Sequence, residues 1–125
     1  MQMKDLSSVV KASSQCQRLI IRQCYLCNLS GDLDFTIPTD YNITHLYIQN
    51  VQGNDSKGSG KWGSNPDRFE HIAKAIGASG LAKSLTLLDV GGSGIEESKA
   101  KELIDKHCPS NNIQIEEGGG VDPSE

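Results

Sequence analysis

The chain has 125 residues, 36% of them hydrophobic and 22% charged, with twelve Lys and Arg against sixteen Asp and Glu. A net charge of -4 is not the basic field of a nucleic-acid binder, and no apolar run approaches the roughly 20 residues that span a bilayer. Ile, Leu, Val and Phe make up 29 of the 125 residues, enough for one folded domain with a single core. The N-terminus has no apolar secretory segment, so a soluble, intracellular protein is expected.

In chain order, the first expected element is a helix from about Asp5 to Ser13, burying Leu6, Val9 and Val10. A strand lies within CQRLIIRQCYL, starting at Cys16. Residues 28 to 42 are irregular, with Leu33, Phe35 and Ile37 packing beneath. A second strand lies within ITHLYIQNVQG, starting at Ile43, and the Gly/Ser-rich stretch 53–66 follows as an inserted loop. Asn65-Pro66 then caps and opens a helix that buries Phe69, Ile72 and Ile76, and Gly77 is a suitable C-terminal stop. LTLLDVGGSGI, from Leu85, is the third strand. The next helix starts near Glu96, buries Ala100, Leu103 and Ile104, and ends before Pro109. Its acidic first turn and basic last turn suit the helix dipole. Ile113 and Ile115 mark a short fourth strand, which makes residues 1–116 one domain and 117–125 a flexible tail.

Strands alternating with helices imply an α/β fold, with parallel strands joined by right-handed crossovers. The three long apolar segments also repeat one another. Cys16, Ile43 and Leu85 take the first position of a common pattern; Leu19, Leu46 and Leu88 take the fourth; Ile21, Ile48 and Val90 take the sixth. Ile113 and Ile115 take the fourth and sixth positions of a truncated copy. The first two copies start 27 residues apart and the last two 25, while the middle interval holds about fifteen extra residues in the 53–66 loop. On these residues the chain resembles the leucine-rich-repeat family of the cysteine-containing, ribonuclease-inhibitor-like type. A doubly wound, flavodoxin-like sheet is the competing fold, although RQCYLCNLS is a poor phosphate-binding turn.

The resemblance implies a short solenoid of about four parallel strands with helices on the convex side. It implies that positions three, five and seven face a concave surface suited to a protein partner. Arg18, Arg22, His45, Tyr47, Gln49 and Asp89 are the candidate contacts there, with Trp62 on the loop at the rim. The face runs from basic at the first strand to acidic at the last, which would orient a dipolar partner. The layout of LIDKHCPSNNIQIE is similar to the end of coupling-factor-B-like proteins of mitochondrial ATP synthase. That likeness places a small complex subunit in mitochondria as readily as in the cytoplasm.

Other chemistry finds less support. GNDSKGSGKWG fails as a phosphate loop, because Asp55 stands where the first glycine belongs and Trp62 follows Lys61. Cys24 and Cys27 have the C-x-x-C spacing of a metal or redox site but lack a second ligand pair among Cys16, Cys108 and the three histidines. Free thiols are expected. A small α/β ligand-binding protein would use the strand carboxyl ends, with Gly91-Gly92-Ser93-Gly94 cradling an anion. No catalytic constellation is present, so the expectation is a non-enzymatic protein-binding module without a cofactor.

Overall fold

The computed structural model describes residues 3–22, 25–27, 33–37, 39–49, 52–54, 66–92 and 95–117. Its elements, in chain order, are α1 Met3–Ala12, β1 Arg18–Arg22, β2 Tyr25–Cys27, β3 His45–Gln49, β4 Gln52–Asn54, α2 Pro66–Gly77, α3 Leu81–Ser84, β5 Leu87–Asp89, α4 Glu97–His107 and β6 Gln114–Glu116. The fold is α/β. Four parallel strands form an open sheet in the order β1-β3-β5-β6, and β2 and β4 form a second, two-stranded parallel sheet.

Each strand of the larger sheet is laid beside the one before it, and the order never reverses. A doubly wound sheet reverses at its switch point, so that alternative does not describe this chain.

The pairing registers are regular. Arg18 lies opposite His45, and Tyr25 lies opposite Gln52, both an offset of 27 residues. Leu87 lies opposite Gln114, again 27, while His45 to Leu87 spans 42 across the inserted loop. The residue before each of the second and third strands repeats the same contact: Thr44 N donates to Gln17 O at 2.9 Å, and Thr86 N to Thr44 O at 2.8 Å. Each threonine hydroxyl donates to the same carbonyl as its own amide.

Side chains alternate across a strand, and the alternation sets the core. Ile21, Leu46, Ile48, Leu88, Val90, Ile113 and Ile115 join Phe69, Ile72, Ile76, Ala100, Leu103 and Ile104 in one buried cluster. The helix spacing read from the sequence therefore holds for α2 and α4. In α1, Leu6 and Val10 are buried, whereas Val9, at the edge of the same stripe, is 36% exposed. Beyond α1, Leu33 and Phe35 pack against the core as expected, whereas Ile37 points outward at 73% exposure. Tyr41 secures this segment by donating from its hydroxyl to Phe35 O at 2.8 Å, and burial pushes the hydroxyl pKa up.

One expectation needs correction. The fourth strand is registered two residues later than the repeat pattern predicts: Ile115, not Ile113, lies beside Leu88. Gly77 ends α2 as expected.

Candidate functional site

The sheet face turned away from the core is built by the alternate residues of each strand. One row holds Arg18, His45, Leu87 and Gln114, and the next holds Ile20, Tyr47, Asp89 and Glu116. A third row pairs Arg22 with Gln49. Five of the candidate contacts, Arg18, His45, Tyr47, Gln49 and Asp89, thus share one face, with Arg18 beside His45 and Tyr47 beside Asp89. The side chain of Arg22 and the whole of Trp62 and Cys24 lie outside the described residues. So does the side chain of Cys27, whose backbone pairs with Asn54 in the smaller sheet.

Exposure divides this face unevenly. Arg18 and Gln114 are exposed, His45, Leu87 and Glu116 are half-buried, and Ile20 is 42% exposed. Tyr47, Gln49 and Asp89 are buried, at 5%, 1% and 3%. The expectation of three open contact residues is corrected on this point: a side chain with almost no accessible surface cannot be a primary contact. Alternation assigns a residue to a face but says nothing of what else lies over it.

The buried residues have distinct surroundings. His45 and Tyr47 stack with ring centroids 6.4 Å apart and planes 20° from parallel. Thr44 Oγ1 lies 2.8 Å from His45 Nδ1. Asp89 Oδ1 accepts the Gly91 amide at 2.8 Å. That bond occupies the turn amide an anion would need and puts a carboxylate beside it, so the Gly91–Gly92 turn is a poor anion cradle. Gln49 Oε1 is buried and has no hydrogen-bond partner among the described residues, a condition that costs roughly 1–3 kcal/mol when it is not relieved.

Two clefts of about 420 Å3 each flank the amino ends of β3 and β5. One is lined by Thr39, Tyr41 and Lys83, the other by Lys83, Thr86 and Asn111. An α/β enzyme of the open-sheet kind would place its pocket at the carboxyl ends. No group of three or more potential metal ligands occurs among the described residues. Cys16 and Cys108 are both free thiols. No described helix is long and apolar enough to cross a membrane.

The strongest electrostatic clusters lie on the helical side, where motif reasoning did not look. Glu70 on α2 accepts Lys106 Nζ at 2.8 Å and contacts His107 Nε2 at 2.7 Å, both from α4. These bonds, the lysine's first, hold the Glu70 carboxyl down to about 2. Lys101, midway along α4, ties the helix to the segment leading into β6 through Asn111 Oδ1 and Ile113 O, each at 3.0 Å, and pairs with Asp105 at 2.9 Å. Helix partners four residues apart, such as Lys101 and Asp105, are legible in sequence; contacts between helices were not.

The class defined by these observations is an open α/β sheet with sequentially ordered parallel strands and helices packed into its core. In comparisons with known proteins, no family model, curated protein or solved structure matches the chain.

Proposed function

We propose that the chain is a short leucine-rich-repeat solenoid acting as a non-enzymatic protein-binding module, a small subunit or assembly component of a larger complex. The observation that carries this reading is the offset of 27 residues at both ends of the sheet, with strands added in one direction only. Equal repeats laid side by side are how solenoids build a continuous core. Such stacking keeps the crossover helices on one side and leaves the opposite, concave face for a partner. Support for that face comes from Arg18, Ile20, His45, Leu87 and Gln114, which combine accessible charge, polarity and apolar surface. Tyr47 and Gln49 underlie the contact surface and hold it in shape.

The test is the native mass of the chain in extract from its source, combined with a charge placed in the middle of the face. A mass far above 13.5 kDa, with one co-migrating protein lost on Leu87→Glu, supports the reading. A monomer whose elution and neighbours do not change on Leu87→Glu overturns it. Unfolding curves of the variant separate lost binding from lost folding.

A further inference from the structure

We infer that the cleft between α2 and α4 is an anion site that takes the phosphoryl group of a small, water-soluble ligand. The site belongs to the helices and is independent of the sheet-face reading.

The cleft measures about 230 Å3 and is lined by Glu70, His71 and Lys74 of α2 with Lys106 and His107 of α4. Residues three and four apart share a helix face, so Lys74 stands one turn beyond both Glu70 and His71. The two helices meet at their carboxyl ends, where Gly77 abuts the His107 carbonyl. A helix carboxyl end attracts cations, which accounts for a Lys or His at either end taken alone. Their convergence sets two lysines and two histidines around a single carboxylate. That carboxylate is already engaged, because Glu70 Oε2 accepts Lys106 Nζ at 2.8 Å and contacts His107 Nε2 at 2.7 Å. Among the described residues, His71 and Lys74 have no side-chain hydrogen bond or ion pair. Lys74 is exposed and His71 half-buried, so both are open to a ligand.

Charge and size select that ligand. The chain carries -4 overall, yet the cleft holds two ammonium groups against one carboxylate before either imidazole is protonated. A phosphoryl group brings nearly two negative charges and three strong acceptor oxygens. It can accept from Lys74 and Lys106 and still offer an oxygen to His71. Lys106 keeps its bond to Glu70 meanwhile, since an ammonium has three donors and this side chain is 63% exposed. A metal ion is the poorer fit, because no group of three or more potential ligands converges among the described residues. Pockets for whole drug-sized molecules start at about 300 Å3. A cleft of 230 Å3 therefore holds the phosphoryl end and leaves the remainder of the ligand outside. An anionic membrane suits it less: an acidic chain is repelled by such a surface, and the lining offers no apolar side chain to insert.

The experiment titrates the full chain with inorganic pyrophosphate and follows the histidine ring signals by nuclear magnetic resonance, at constant pH and ionic strength. Saturable movement of the His71 and His107 signals is expected, with His45 on the sheet as the unmoved internal control. Lys74→Gln should weaken binding by about tenfold or more, the loss of a hydrogen bond between charged groups. Lys74→Arg keeps the charge and should stay within about threefold. Lys83→Gln, at the amino-end clefts, should change affinity by less than about twofold. Urea midpoints verify that the variants are folded. Vesicles of equal parts phosphatidylserine and phosphatidylcholine should not co-sediment the chain. Absence of saturation, equal movement of all three histidines, or wild-type affinity in folded Lys74→Gln overturns the proposal. A loss in Lys83→Gln as large as that in Lys74→Gln also overturns it, by placing the anion elsewhere. Vesicle binding that Lys74→Gln abolishes would assign the cleft to lipid headgroups and overturn the soluble ligand.

Discussion

Gly77, the last residue of α2, lies directly against the carbonyl of His107 at the end of α4. A Cβ at this position would overlap both the carbonyl oxygen and the carbonyl carbon of His107, and it would touch Cys108 Sγ at 3.4 Å. The glycine is required by the closeness of two helix ends rather than by its own backbone angle. Replacing a helical glycine by alanine ordinarily stabilises by about 0.5–1 kcal/mol. Here the sign should reverse. Gly77→Ala should cost about 1–3 kcal/mol, as overpacking does, seen as a lower urea midpoint with an unchanged m-value. A neutral or stabilising result would mean that α2 and α4 do not meet at this point.

Glu70 joins the same two helices through charge. Its carboxyl pKa falls from 4.5 to about 2, chiefly through the Lys106 hydrogen bond and then the His107 hydrogen bond. A folded-state pKa below the unfolded value stabilises the fold fully above pH 4.5 and progressively less as pH falls towards 2. Wild-type unfolding free energy should therefore drop across that window, and the Glu70→Gln variant should drop less steeply. Asp34 and Asp105, both lowered by hydrogen bonds, titrate in both proteins and cancel in the comparison. Parallel curves for wild type and variant from pH 6 to 2 would remove Glu70 from the acid response.

The two-residue displacement of the last strand marks a limit of pattern reading. A slip of one residue turns every side chain to the wrong face and is caught by hydrophobic alternation. A slip of two preserves both faces, and Ile113-x-Ile115 satisfies the core in either register. Asn111 bears on the choice through a contact invisible in a pattern: its Oδ1 accepts the Ile113 amide at 2.9 Å, while Gln114 N donates to Thr86 O at 2.8 Å. The first two repeats were legible because each pairs a Leu with an Ile at the core positions and their spacing equals the observed register. The three-residue strands β2 and β4 and the single-turn α3 were not, since three or four residues show no period. At the candidate site, face membership was legible for Arg18, His45, Tyr47, Gln49 and Asp89. Their burial was not, because it depends on what covers the sheet rather than on the strand itself.

Asn111 is expected to be among the more costly polar residues to remove. Besides the Ile113 amide it takes Lys101 Nζ on Oδ1, and through Nδ2 it donates to Cys108 O at 2.7 Å and Asp105 Oδ1 at 3.0 Å. Asn111→Ala should destabilise by about 1–3 kcal/mol, since its part-buried bonds to Lys101, Cys108 and Ile113 are lost together. Hydrogen exchange should locate the loss: amides of β6 should open faster while those of β1 and β3 keep their protection relative to global unfolding. Uniform acceleration across the sheet would instead make Asn111 part of the global core.

Cys16 and Cys108 should separate cleanly by reactivity. Cys16 is exposed, whereas Cys108 is 3% exposed, with its Sγ 3.8 Å from Ala73 O. Burial pushes the Cys108 thiol pKa up, and the nearby Asp105 carboxylate raises it further. The thiolate is the reactive form, so Cys108 is protected both by access and by protonation. Under native conditions a maleimide should modify Cys16 at least about a hundredfold faster than Cys108, as followed by peptide mass mapping. Labelling of Cys108 should then accelerate with urea as α2 and α4 separate, and Gly77→Ala should accelerate it further, because the strained contact lies against the same sulfur. Comparable native labelling of the two thiols would show that the α2–α4 junction opens without global unfolding.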